Sequence, residues 1–561
     1  MGQPESTSPE PTGPDPGEAL APDATGKGAF WVASGILLSR TVGLIRERVF
    51  AYYFGNASAA AAFKAAFRIP NLLQNLFGEG VLSASFIPVY ARLVGEGDRE
   101  EADRVAGAVF GLLSLVTAAV VALGVLFAPQ LVSAIAPGFV GETRALTIQL
   151  VRIFFPGSGV LALSAWCLGI LNSHRKFFVS YAAPVIWSCA QIAALGFFGG
   201  RNSQAKLAEY VAYAVVAGSC LQFAIQLPSV IRLLGRFLPT LSTARASVRG
   251  VLRNFVPVLF GRGVVQVSAF IDTAYASLIS ERAVSALSYA QTIYLVPVSL
   301  FGMAVSAAEL PAMSQAVGTP EEIAAKLRAR VNDGLGRIAF FVVPSAAAFL
   351  FLGDVVGAAL LQTGRFRAGD SRYLWYLLIG STVGLLASTL GRLYASAFYA
   401  LRDARTPLAY ATLRVVLTAV LAYWSAVKLP AQLGIPRELG AVGITATTGL
   451  AAWIEFLLLR RALAKRIGVT RIPGRRLAGL WGSAALAAGL ALSIKIALVH
   501  FCGRAAMSAE WESGFLPPPA LGPIVVAVLV LAPFGAAYLL LTAALGTPQS
   551  RALLRRAGIG R

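Results

Sequence analysis

Apolar stretches long enough to cross a bilayer follow one another along almost the whole chain. A spanning helix needs about 20 mostly apolar residues. The pattern predicts fourteen such spans, near 28–53, 59–92, 104–132, 143–171, 178–199, 207–231, 252–278, 285–314, 336–362, 373–400, 406–427, 439–460, 477–500 and 521–546. The polar segments between them alternate in basic content. One set holds Arg175/Lys176, the run from Arg232 to Arg253, Lys326 to Arg337, Arg402/Arg405, Arg460 to Arg476, and the tail from Arg551 to Arg561. The other set is sparse, with Arg201, Lys206, Arg282, Arg365, Arg367, Arg372, Lys428, Arg437 and Arg504. Cytoplasmic loops carry the Lys/Arg excess, so the rich side is expected to be cytoplasmic. An even number of spans places both termini there.

The same pattern contains a repeat. Leu76-Phe77-Gly78-Glu79-Gly80-Val81, followed by Pro88, resembles Leu300-Phe301-Gly302-Met303-Ala304-Val305, followed by Pro311. Asn172 to Lys176, with Tyr181 and Pro184 beyond, echoes Leu401 to Pro407 with Tyr410. Both echoes are displaced by six spans, an even number, so the two copies share orientation. Parallel repeats of this kind build carriers with a substrate site between the halves near mid-membrane. The expected organisation is a disordered cytoplasmic tail at 1–27, a six-helix lobe at 28–234, a second at 250–462, two further helices at 477–546 and a basic tail at 547–561. The first segment is rich in Pro, Gly, Ser, Asp and Glu and cannot bury a core.

Composition agrees with an all-α polytopic membrane protein. Of 561 residues 57% are hydrophobic and 13% charged, whereas soluble proteins carry about 25% charged residues. The net charge of +21 would point to nucleic acid in a soluble protein. Here it reads as orientation signal and contact with anionic membrane lipids, with no nucleic-acid partner. Cys167, Cys189, Cys220 and Cys502, and His174 and His500, are scattered without metal or disulfide spacing. No metal or cofactor is expected, and no nucleophile–base pair argues for an enzyme.

The chemistry concentrates at residues 39–92. This apolar stretch carries Arg40, Arg46, Glu47, Arg48, Lys64, Arg68 and Glu79, although one ionisable residue costs roughly 2.5–3.5 kcal/mol at a span centre on insertion scales. Such a cluster implies a polar cavity. Arg40 and Glu47 share a helix face, as do Arg68 and Glu79 if Pro70 only kinks the helix. Buried charges need partners, so the two helices are expected to neutralise one another in part. The surplus is positive, which suits an anionic cargo, and the planar fork of Arg suits phosphate. Arg262 and Asp272 in span 7 and Arg392 in span 10 are expected to line the same cavity. Glu309 in span 8 is a candidate ion-coupling site. Glu455 and Lys495 read as interface or structural charges.

Ser39-Arg40-Thr41-Val42-Gly43-Leu44-Ile45-Arg46-Glu47, Phe54-Gly55, Ala66-Phe67-Arg68-Ile69-Pro70-Asn71-Leu72-Leu73, Phe77-Gly78-Glu79-Gly80 and Phe86-Ile87-Pro88 together resemble the MviN/MurJ lipid II flippases. These belong to the multidrug/oligosaccharidyl-lipid/polysaccharide exporter superfamily. The resemblance implies two six-helix lobes around a central cavity, with two C-terminal helices forming a groove for a lipid tail. It implies export of an undecaprenyl-diphosphate-linked disaccharide–pentapeptide, lipid II, by alternating access, for peptidoglycan synthesis in the bacterial inner membrane. Cell-wall synthesis proteins are then expected partners. Arg40, Arg46, Glu47, Arg68, Glu79 and Arg392 match the family's charged positions. Three further family charges are replaced here by Ala61, Gln74 and Thr292. Two other readings stand beside this one: a flippase of another polyprenyl-linked oligosaccharide, and an ion-coupled small-molecule exporter of the same superfamily. The second should carry cavity acids rather than surplus arginine. A membrane protein that only recruits other factors is the third alternative.

Overall fold

In the computed structural model the described residues are 22–77, 81–82, 85–174, 176–315, 318–503 and 522–556. Among them the chain is helical, with one isolated bridge between Thr363 and Phe366 and no strand. The first half contains α1 (Pro22–Phe54), α2 (Ser58–Phe77), α3 (Ile87–Gly95), α4 (Arg99–Leu126), α5 (Ala128–Ile135), α6 (Gly141–Ser173), α7 (Phe177–Phe198) and α8 (Gln204–Leu233). The second contains α9 (Ala246–Ile279), α10 (Glu281–Pro297), α11 (Ala304–Ser314), α12 (Pro320–Leu361), α13 (Ala368–Ala400), α14 (Arg405–Tyr423), α15 (Leu429–Leu433) and α16 (Gly440–Ile467). The chain then forms α17 (Gly474–Gly503), α18 (Pro523–Ala544) and α19 (Pro548–Arg556).

Eleven helical stretches among the described residues are long and apolar enough to cross a membrane. Each of the other three expected spans also falls on a long helix: α1, α2 and α9, which bear the intramembrane charges. Several boundaries differ from the expected ones, and proline marks two of them. The span read as 104–132 breaks at Phe127, because Pro129 in the first turn of α5 has no N–H for the Val125 carbonyl and its ring crowds that carbonyl. In the span read as 59–92, α2 is described to Phe77, residues 78–80 and 83–84 lie outside the described residues, and α3, with Pro88 in its first turn, runs to Gly95. α1 begins at Pro22, ahead of the expected start at 28; most of the N-terminal tail lies outside the described residues.

Two lobes follow the repeat. In the first, α6 packs on α2 and α8, and α7 packs on α1 and α8; in the second, α13 packs on α12 and α16, and α14 packs on α9 and α16. α6 and α13, the equivalent helices of the two copies, are each 33 residues long. Both end where the second sequence echo lies, at His174 and Leu401. The copy at Leu300–Val305 is distorted into a π-helical turn over Val298–Met303 between α10 and α11. Its partner at 76–81 lies partly outside the described residues. α13 and α16 approach so closely that a Cβ on Gly384 would overlap Gly449; small residues permit such backbone contact between helices in lipid. α17 and α18 form a third unit on the outside of α12. Ala484, Ala488, Val530 and Tyr538 bury Phe340 and Val343 there, and Tyr538 donates to the Phe340 carbonyl at 2.7 Å.

The lobes meet through α1 and α2 on one side and α9, α10 and α12 on the other. At the basic-poor face their loops are tied together. Arg365 N–H donates to the Tyr52 carbonyl at 2.9 Å, Tyr289 Oη to the Gly55 carbonyl at 2.9 Å, and Gly138 N–H to Ser277 Oγ at 3.1 Å. Ser285 Oγ donates to Asn56 Oδ1. Gly55 has φ +59°, and a Cβ there would lie 2.6 Å from the Arg365 carbonyl oxygen. Only glycine fits that combination of left-handed backbone and cross-lobe approach.

Candidate functional site

The charges of α1 and α2 form a knot between helices. Glu47 is buried and its two oxygens take different partners: Arg46 at 2.9 Å on Oε1 and Lys64 on Oε2. Lys64 is itself buried, with its ammonium 4.6 Å from the Phe50 ring and 5.0 Å from the Tyr289 ring. The expected mutual neutralisation of the two helices is therefore carried by Lys64, which sequence reasoning noted but did not place in the site. The Arg46 guanidinium lies 4.9 Å from the Trp187 ring on α7, a cation–π arrangement. Arg40 is exposed on α1, about two turns from this knot. Arg48 donates to the Ala359 carbonyl of α12.

Arg68 reaches across to the second lobe. It donates to the Ala269 carbonyl at 2.9 Å and to Gln291 Oε1 at 2.6 Å. Gln291 Nε2 in turn points at Asp272 Oδ2, 3.5 Å away. The basic position at Thr292, replaced here, is thus flanked by a glutamine that receives Arg68. Nothing in the sequence singled out Gln291; only the approach of α2 to α10 gives it a role.

Ala269, Asp272 and Gln291 form one wall of a cavity of about 260 Å³ inside the second lobe. Arg392 from α13, Arg414 from α14 and Thr448 from α16 also line it. Arg414 pairs with Glu455 at 3.1 Å. Glu455 thus belongs to a structural pair, as does Lys495, which meets Asp354 of α12 at 2.5 Å. Arg414 was open to the rule that picked out Arg392, a basic residue within an apolar span, but was not selected by it. Gly384 and Gly449 also line the cavity, so the close contact of α13 and α16 shapes its floor.

Glu309 stands apart from this group. Both its oxygens are engaged, by Arg337 at 3.1 Å and Arg330 at 3.4 Å, where α11 meets the first half of α12. Glu79 and the side chains of Arg262 and Gln74 lie outside the described residues. Ala61 is fully buried against apolar neighbours. Of the sequence-derived site residues, the fold brings together Arg46 with Glu47, Arg68 with Asp272 through Gln291, and Asp272 with Arg392 in the lining of one cavity.

Residues 50–520 match the family model described as Lipid II flippase MurJ. A protein of Burkholderia cenocepacia named lipid II flippase MurJ is 31% identical over 521 residues, covering 91% of this chain and 95% of the relative. A probable lipid II flippase MurJ of Rhizobium meliloti is 31% identical over 447 residues, covering 78% of this chain and 80% of the relative. Among solved structures, a lipid II flippase MurJ in an inward closed conformation superposes with a TM-score of 0.72 at 22% identity, covering 92% of this chain and 98% of its own. An inward-facing MATE family multidrug transporter of the MOP superfamily matches with a TM-score of 0.61 at 19% identity, over 76% of this chain and 95% of its own.

Proposed function

This chain belongs to the lipid II flippase MurJ family, and from that premise we propose how it carries its cargo. It is a flippase that moves lipid II across the bacterial inner membrane by alternating access between two six-helix lobes. The observation that carries the mechanism is Arg68, a cation of the first lobe anchored on the second, at the edge of the polar cavity. Arg46 and Arg68 hold the diphosphate, with Arg40, Glu79 and Arg262 as the polar lining beside it, while Asp272 and Arg392 line the chamber of the second lobe. Glu47 and Lys64 keep that lining rigid. The lobes are residues 28–234 and 250–462, with 477–546 forming the flank along which the lipid tail runs. The ties at the basic-poor face close the path on that side, so this conformation takes cargo from the other. Glu309 has both oxygens occupied by arginines here; an ion-coupling role requires the α11–α12 contact to open.

Depletion of the protein in its host should trap lipid II on the cytoplasmic leaflet. Assaying which lipid-linked precursor accumulates there decides the cargo. Accumulation of a different polyprenyl-linked oligosaccharide would replace lipid II in this reading.

The orientation rests on the Lys/Arg asymmetry of the loops, which places both termini in the cytoplasm. Single cysteines at 200–203 should then be labelled from outside the cell and cysteines at 245–249 only from inside. Reverse accessibility at either loop would invert the protein.

A further inference from the structure

We propose that the cavity of the second lobe is a separate subsite for a carboxylate of the cargo's peptide, bound by Arg392 with Arg414 behind it. This rests on the lipid II reading above and goes beyond it in assigning a second part of the headgroup to a second place.

Size comes first. The cavity measures about 260 Å³, below the roughly 300–1,000 Å³ of ordinary small-molecule pockets. It admits one end of a headgroup, not a disaccharide carrying a pentapeptide. Charge comes second. Arg414 is matched by Glu455 at 3.1 Å, and Asp272 is connected to Arg68 through Gln291. Arg392 makes no hydrogen bond or ion pair among the described residues, and it is open to the cavity. The unmatched charge is therefore a single guanidinium. One cation fits one carboxylate, and its fork can hold both oxygens; a diphosphate asks for more.

The third argument is the mixture of donors and acceptors. Asp272 Oδ1 and Thr448 Oγ1 are buried together in the cavity lining, and beyond each other neither has a hydrogen-bond partner among the described residues. A buried carboxylate oxygen with so little donation is costly and repels phosphate. It does accept an N–H. A peptide end supplies both halves, an amide N–H for Asp272 and a carboxylate for Arg392. Position is the fourth. Arg68 lies at the rim of the cavity through Ala269 and Gln291, so a headgroup whose diphosphate rests on Arg46 and Arg68 presents its remaining part towards this chamber.

The test uses the purified full-length chain in nanodiscs and three probes: lipid II, lipid II with its peptide carboxylates amidated, and the undecaprenyl-diphosphate disaccharide lacking the peptide. Wild-type affinity should fall about tenfold on amidation, the size of one charge-assisted contact. Arg392→Gln should show the same loss towards lipid II, no further loss on amidation, and wild-type affinity for the peptide-free lipid. Arg392→Lys should recover part of it. Because Arg392 has no described partner, its removal is expected to leave the fold intact, which the peptide-free probe checks directly. Equal weakening towards all three probes would make Arg392 a diphosphate contact and overturn the proposal, as would unchanged binding of lipid II. Arg46→Ala separates the two readings: it should weaken all three probes alike. A wild-type protein that bound none of them would fail the lipid II reading itself, and the subsite with it.

Discussion

Arg46→Ala and Arg68→Ala, each inserted normally in the membrane, should abolish complementation of a strain depleted of its lipid II flippase. Each arginine supplies a charge-assisted contact worth about 1.5–3 kcal/mol, or roughly 10- to 150-fold in affinity. Arg68 does more than attract an anion. Its guanidinium spends N–H groups on the Ala269 carbonyl and on Gln291, so its loss also removes a fastener between the lobes. Lysine at either position keeps the charge and loses the fork, and should support slow growth. Arg46→Lys should be the milder change, because an ammonium can still pair with Glu47 and face the Trp187 ring. In-vesicle export of lipid II separates loss of transport from loss of protein. Normal growth and export with both alanine variants would remove the diphosphate assignment.

The second large effect is on stability. Glu47→Gln should lower the melting temperature of the detergent-solubilised protein sharply, because it strands Lys64 as a buried cation beside Arg46. Breaking one side of a buried ion pair costs about 3–5 kcal/mol. The aromatic rings of Phe50 and Tyr289 over Lys64 offset only part of that, since a cation–π contact contributes about 0.5–2 kcal/mol. Adding Lys64→Met to Glu47→Gln should restore much of the stability, because a neutral pair of similar volume replaces two charges that no longer need desolvation. Transport should not return with it, since Arg46 has then lost the carboxylate that orients it. A Glu47→Gln protein as stable as wild type would mean that the knot is solvated and that Lys64 is not held as described.

Much of this was available before any coordinates. Span positions and the two-lobe repeat follow from hydropathy, because a backbone in lipid must satisfy its hydrogen bonds internally and helices are the way to do so. The charges of 39–92 stood out because each is expensive in that setting. The recognisable motif around Arg40 to Pro88 added a cargo class, later matched by relatives over most of the chain.

What the chain alone determined, then, is the placement of apolar helices, their repeat, and the presence of a cationic region within them. The pairing was decided only by the fold. Glu47 takes Arg46 and Lys64 rather than Arg40, its helix-face neighbour, since α2 delivers Lys64 to it while Arg40 stays exposed. Arg68 finds Ala269 and Gln291, more than two hundred residues away, because α2 lies against α9 and α10. The cavity with Arg392 and Arg414 exists because α13 and α16 approach through Gly384 and Gly449 while α9 and α14 close its sides. Helical periodicity reports which residues share a face of one helix. Which two faces meet depends on packing between helices distant in sequence, and no local pattern encodes that.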